Sequence, residues 1–158
     1  MDKYAIVMPA GSGKTTISKK YKNIYDIDQF HTKTDRIKLH ELYKEVIISN
    51  DWNKYFLYEL SLIKDKINNL ESPFILLLHC KEKADLLNLI YLDSIKTDKE
   101  TMNKVALERG KKNKLREDMT RNNWNSCNAK IFSSHQEIEN YIIHLSKINN
   151  IKISKKNI

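Results

Sequence analysis

Eight residues near the N-terminus, Met8-Pro9-Ala10-Gly11-Ser12-Gly13-Lys14-Thr15, set two glycines beside a lysine and a hydroxyl. The spacing matches the phosphate-binding pattern G-x-x-x-x-G-K-[ST] except at its first position, where Met8 stands in place of glycine. Each part has a chemical reason. Gly11 and Gly13 let the backbone curl so that successive N–H groups point inward. Those groups, drawn from Ala10, Gly11, Ser12, Gly13, Lys14, Thr15 and Thr16, would hold phosphate oxygens together with the N-terminus of a following helix. Lys14 would reach the β- and γ-phosphates, and Thr15 would offer its hydroxyl to Mg²⁺. The cofactors implied are ATP, with GTP as the alternative, and Mg²⁺.

Two further groups of residues could take part. Asp26-Ile27-Asp28 is followed by Gln29-Phe30-His31. On a strand, alternation would put Asp26 and Asp28 on one side. A carboxylate beside an acceptor hydroxyl can take its proton. Asp28 is nearer the loop that follows and is the expected base; Asp26 would then lie nearer the metal. The second group is the arginines. Only four of the 28 basic residues are arginine, and Arg109, Arg116 and Arg121 lie close together. In a chain that defaults to lysine, arginine supplies a planar fork of donors suited to phosphate. One helix would bring Arg109 and Arg116 together at i+7, with Arg121 off that register. Arg36 could grip an acceptor anion.

Strands and helices must position these residues. Lys3–Met8 reads as a buried strand ended by Pro9, and Lys14 to about Tyr21 as a helix. Ile24–Ile27 is a second short strand ending at Asp28. Thr34 or Asp35 could cap a helix bearing Ile37, Leu42 and Val46. After a break at Ser49-Asn50-Asp51, a second helix carries Trp52, Tyr55, Phe56, Leu60, Ile63 and Ile67 at i, i+3, i+4, i+7 spacing. Phe74–Leu78 is a continuous apolar run, the mark of a central parallel strand. A short helix over Lys81–Leu87, a strand at Leu89–Leu92 and a helix over Thr97–Glu108 follow. Lys111–Asn128 is polar and basic. Ala129–Phe132 is a fifth strand, and Ser133 or Ser134 caps a last helix. His79, His135 and the cysteines read as packing or surface residues.

With 158 residues, 41% of them apolar, the chain can build one domain around one core. No run approaches the eighteen apolar residues that would cross a membrane. Cys80 and Cys127 have neither metal nor disulfide-framework spacing, which points to a reducing, cytoplasmic setting. The net charge of +8 suits anionic ligands, whether nucleotides, phosphorylated metabolites or nucleic acid. Much of it is lysine that AT-rich coding favours and that a solvated surface accounts for.

With these elements placed, the chain resembles the small P-loop kinases: the nucleoside monophosphate kinases and their shikimate and gluconate kinase relatives. The resemblance rests on the glycine–lysine loop, the D-x-D at Asp26 and Asp28, the two helices within 34–70, the Ile90-Tyr91-Leu92-Asp93 strand and the arginines at 109, 116 and 121. It implies a three-layer α/β/α fold with a five-stranded parallel sheet in the order 2-3-1-4-5. It makes 1–158 a single domain, with 34–70 as acceptor-binding helices, 109–128 as a lid and 149–158 as a basic tail that frays. Of the D-x-D it implies service to the Mg²⁺ shell and the acceptor hydroxyl; of the arginines, a clamp on transferring phosphates. The lid, poor in apolar surface, would gain its order from ligand charge.

The chain also departs from that pattern. Strand three ends in His79-Cys80, without an acid, and no acceptor motif matches. Three readings use the same residues. One is a kinase moving the γ-phosphoryl of ATP to a small acceptor, a nucleotide or a hydroxyl metabolite. Another is a polynucleotide 5′-kinase or other nucleic-acid-directed enzyme. The third is a non-catalytic nucleotide-binding module.

Overall fold

The fold was read from a computed structural model, which describes residues 2–157. Five strands form one all-parallel sheet: β1 (Lys3–Val7), β2 (Ile24–Asp26), β3 (Phe74–Leu78), β4 (Ile90–Thr97) and β5 (Lys130–Phe132). Their order is β2-β3-β1-β4-β5. Among the described residues six α-helices lie between the strands and a seventh follows the last: α1 (Lys14–Lys20), α2 (Lys33–Ser49), α3 (Trp52–Asn68), α4 (Lys81–Leu86), α5 (Lys99–Gly110), α6 (Lys114–Ser126) and α7 (His135–Ile148).

Alternation along the central strands divides the core between the two faces of the sheet. Ile6 and Met8 from the β1 segment, with Ile75 and Leu77 of β3, pack against Ile17 of α1 and Ile138, Ile142 and Leu145 of α7. Ala5, Phe74, Leu76 and Leu78 face the other way, onto Leu60, Ile63 and Ile67 of α3 and Ala84 of α4. All five residues of β3 are buried, as a strand covered on both faces requires. A smaller third cluster, Met102, Ala106 and Trp124, joins α5 to α6.

Several boundaries differ from the sequence reading, each for a local reason. β2 stops at Asp26, because its side chain caps a 3-10 turn over Ile27–Phe30 by accepting from the Asp28 N–H at 3.0 Å. Asp28 is therefore off the strand, and alternation does not place it. Thr32, rather than Thr34 or Asp35, caps α2, in a reciprocal box with Asp35. β4 runs five residues past Leu92, through polar Ser94, Lys96 and Thr97, all of which are buried. Two of the three side chains find partners: the Tyr91 hydroxyl bonds Ser94, and Lys96 donates to the carbonyls of Trp124 and Cys127, while the buried Thr97 hydroxyl has none among the described residues. Leu92 is an extra residue in the ladder, since Ala5 pairs with Tyr91 and Ile6 with Asp93.

The basic tail is docked where fraying was expected. Ile151 is buried against the α1–α7 core, and Ile153 packs beside it. Beyond it the backbone runs antiparallel to the α1–β2 junction, with Lys22 N–H donating to Ser154 C=O and Lys156 N–H to Lys20 C=O, both at 2.8 Å. Two isoleucines among the lysines supply the apolar anchor that a net-charge reading passes over. Ile151→Ala should cost about 2–4 kcal/mol. Urea unfolding would measure this, and a loss below about 0.5 kcal/mol would mean that the tail is not anchored.

Candidate functional site

The carboxyl ends of β1, β2 and β3 converge on the turn between β1 and α1. Gly11 and Gly13 have φ of 84° and 94°, a left-handed backbone that β-carbon-bearing residues rarely adopt. Both glycines are also closely covered. A β-carbon on Gly11 would meet Val105 at 3.4 Å and Thr120 at 3.5 Å, and one on Gly13 would meet His135 at 3.3 Å. The α5–α6 hairpin thus sits directly on the turn. Ser12 is buried and its hydroxyl accepts from Thr97 N–H at 3.4 Å, which ties the turn to the end of β4. Ala10 donates its N–H to Asn123 Oδ1 at 2.6 Å, and Asn123 donates onward to the His79 carbonyl at 3.2 Å. Thr16 lines a cavity of about 100 Å³ with Ser12, Gly13, Ile17, His135 and Glu139.

Lys14 is buried and donates to the Met8 carbonyl at 3.0 Å. Burial lowers its pKa, while Asp28 and Asp26 act to keep its charge. Thr15 donates its hydroxyl to Asp26 Oδ2 at 2.8 Å. Thr15 is exposed and Asp26 is buried; their oxygens form a hard-oxygen pair that fits Mg²⁺, which takes one or two protein oxygens and keeps several waters. The charge of Asp28 also acts on Lys14. Partial burial would raise the pKa of Asp28, but His79, Lys14 and Lys83 outweigh that and hold it well below the usual carboxylate range.

Four arginines were candidates, and the structure gathers three. Arg109 feels the charges of Asp28, Asp26 and Arg116; burial first, then Arg116, lowers its pKa. Its guanidinium donates to the Thr120 hydroxyl at 3.0 Å. Arg109 and Arg116 do not share one helix, because the chain breaks between Gly110 and Lys114 and Asn113 caps α6. The hairpin, not an i+7 face, brings them together. Arg36 is exposed and donates to the Asp28 carbonyl at 3.3 Å. Arg121 is engaged elsewhere: it bonds Glu117 at 3.2 Å and Asn103 at 2.5 Å, bracing the hairpin internally. Residues 114–126 are helical because Trp124 supplies an apolar anchor, its indole N–H bonding Thr97 C=O and its ring covered by Lys96.

Behind Asp28 lies a charged group that the sequence reading missed. Glu59 of α3 and Lys83 of α4 are each 2% exposed and form an ion pair. His31 lies between two carboxylates, with Nε2 3.1 Å from Glu59 and Nδ1 3.7 Å from Asp28. His79 places Nε2 3.3 Å from Asp28 Oδ2 and Nδ1 3.2 Å from Lys83 Nζ. Asp28, Glu59 and His79 offer ligand atoms within 4.8 Å of one another, yet the Lys83 ammonium already faces two of them. Burial alone would raise Glu59, but Lys83 and His31 hold it at about 2. A signal existed: Glu59 falls on the same helical stripe as Phe56, Leu60 and Ile63, where a lone carboxylate demands a partner.

No protein-family model matches this chain, and no curated protein is significantly similar to it.

The Glu59–Lys83 pair makes a stability prediction. Glu59→Gln strands a buried ammonium and should cost about 3–5 kcal/mol at neutral pH. Because the folded pKa of about 2 lies below the ordinary 4.5, the contribution is complete above the ordinary value and is lost as pH falls towards 2. Urea denaturation across that range should give the variant a flatter acid limb. Parallel limbs would show that Glu59 does not titrate out of the native pair.

Proposed function

We propose that this protein is a Mg²⁺-dependent phosphotransferase of the small P-loop kinase type, moving the γ-phosphoryl of ATP to a hydroxyl-bearing acceptor. The observation that carries this reading is the convergence of Lys14, the Thr15–Asp26 pair, Asp28 and Arg109 on one glycine turn. A parallel sheet in the order β2-β3-β1-β4-β5 supports it, since that order accompanies the resemblance drawn from sequence.

The roles follow from charge and reach. Backbone N–H groups of the turn would receive the phosphate oxygens, and Lys14 would leave the Met8 carbonyl to meet the β- and γ-phosphates. Thr15 and Asp26 would hold Mg²⁺, which neutralises charge on the phosphates when bound. Arg109 and Arg116 would face the transferring group, where charge accumulates. Asp28 would take the acceptor proton. GTP meets the same backbone groups, because the turn contacts phosphates and not the base.

Acceptor chemistry is suggested on the α2–α3 side. Arg36 stands there, and Trp52, Tyr55 and Phe56 present half-buried rings on α3. Tyr55 lies near enough to Glu59 and Asp28 that their charges, after burial, raise its pKa. Aromatic faces stack bases, so these rings favour a nucleotide or polynucleotide 5′-hydroxyl over an aliphatic metabolite. Steep salt dependence of oligonucleotide binding would distinguish a polynucleotide from a mononucleotide.

Two substitutions test the core of the reading. Lys14→Ala should nearly abolish transfer and weaken triphosphate binding with the fold intact; unchanged ATP binding by calorimetry would refute the phosphate site. Asp28→Asn should slow transfer by about 10²–10⁴-fold with ATP affinity little changed. A collapse of ATP binding with undiminished turnover would exchange the roles of Asp28 and Asp26.

A further inference from the structure

The proton-transfer role given to Asp28 leaves the buried charges behind it without a task. Their hydrogen-bonding capacities assign one. The Lys83 ammonium has three donors and no lone pair, and it lies 3.2 Å from His79 Nδ1 while pairing with Glu59. His79 Nδ1 must then be the acceptor. A neutral imidazole that accepts at Nδ1 carries its proton on Nε2. That Nε2 is 3.3 Å from Asp28 Oδ2, an oxygen able to accept it. Each member of the chain Glu59, Lys83, His79 and Asp28 has one consistent role.

We propose that Lys83, anchored by Glu59, fixes His79 as the neutral Nε2–H tautomer, and that His79 thereby holds Asp28 by Oδ2, leaving Oδ1, which lies 3.7 Å from His31 Nδ1 and beyond hydrogen-bond distance of it, to receive the acceptor proton. The second half of this rests on reading Asp28 as the base; the first half does not. Burial favours the uncharged form of His79 and acts more strongly than Asp28, which pulls the other way. Burial acts against the charge of Lys83, but Glu59, Cys80 and Asp28 together outweigh it and raise its pKa, so the ammonium persists.

The step balances without His79 exchanging its own proton. The acceptor O–H bond breaks and its proton passes to Asp28 Oδ1. The electron pair stays on the acceptor oxygen and forms the bond to the γ-phosphorus. The bond from that phosphorus to the β–γ bridging oxygen breaks, and its pair leaves on the nucleoside diphosphate. Afterwards Asp28 is protonated on Oδ1 while Oδ2 keeps the His79 donor, so the carboxyl does not swing as its charge changes. His79 is a positioning residue, placed at the point of strand three where the resemblance leads one to expect an acid.

The test is nitrogen NMR of the full chain with ¹⁵N-labelled histidine. At neutral pH, without ligand, His79 should show a protonated Nε2 and a bare Nδ1. In Lys83→Met the pattern should shift towards mixed tautomers or imidazolium. An Nδ1–H tautomer, or imidazolium, in the unsubstituted protein would overturn the lock, whether or not any variant folds. Transfer assays then read the positioning role. His79→Ala should lower kcat by about 10²-fold with the KM for ATP unchanged. His79→Gln, whose amide N–H can take the place of Nε2–H, should recover most of it. Equal losses in both variants would overturn the positioning role. The expected tautomer in a protein that transfers nothing would leave the lock standing and refute only the assignment of Asp28 as base.

Discussion

A carboxylate enclosed by apolar side chains is the constraint around which half of this molecule is arranged. Glu59 occupies the inner stripe of α3, and an unpaired charge there would cost several kcal/mol. Its neutralisation draws Lys83 inward from α4 and His31 from the loop after β2. Those partners come from segments far apart in sequence, so one buried charge sets α3, α4 and the β2 loop against one another. The Asp28 backbone and side chain are held by the same elements, through Arg36, His31 and His79. Geometry at the sheet edge is thus set from behind, by groups that need never touch a ligand.

The opposite wall is built differently. The α5–α6 hairpin has few large apolar side chains and is held to the sheet by hydrogen bonds to backbone. Lys96 closes the end of α6 on two carbonyls, Trp124 returns a bond to Thr97, and Asn123 spans from Ala10 to His79. A wall held by hydrogen bonds over a small core can shift by exchanging partners, whereas the Glu59 side would have to expose a charge. One side of the site is accordingly rigid and the other adjustable. That division suits a chemistry in which the acceptor is oriented once and the phosphates are enclosed at each turnover.

The architecture was legible because it depends on patterns that burial enforces. The continuous apolar run at Phe74–Leu78 and the alternating faces of β1 admit few other readings. Gly11 and Gly13, two of only three glycines, marked a turn of special backbone. What the sequence left hidden was mostly polar residues made acceptable by partners distant in the chain. Ser94 and Lys96 extend β4 because Tyr91, Trp124 and Cys127 meet them, and Trp124 bonds the Thr97 carbonyl. His79 read as a packing or surface residue, and Glu59 and Lys83 drew no notice, for the same reason. Pairwise satisfaction across long separations has no period, so no local pattern announces it. Arg121 shows the converse: its residue type suggested phosphate, and its neighbours Glu117 and Asn103 claimed it.

Charge balance gives the last step. Around the glycine turn stand Lys14, Arg36, Lys83, Arg109 and Arg116, against the carboxylates of Asp26, Asp28 and Glu59. Lys83 is spent on Glu59, and Lys14 stands between the two aspartates. Burial first, and then the repulsion of Arg116, lowers the pKa of Arg109, while Asp28 and Asp26 pull the other way. A fold gains nothing from two like charges held together beside a buried lysine, and the cost grows as the local dielectric falls. A polyanion lying among them, as in the phosphate binding proposed above, would supply the two negative charges that balance this group. A passive surface would have dispersed these arginines, as it disperses the lysines of α1 and the tail. Arg109, within reach of the charges of Asp26 and Asp28 beside the glycine turn, with exposed Arg116 near it, is therefore an argument for the phosphorylated ligand proposed above that does not depend on any likeness to other proteins.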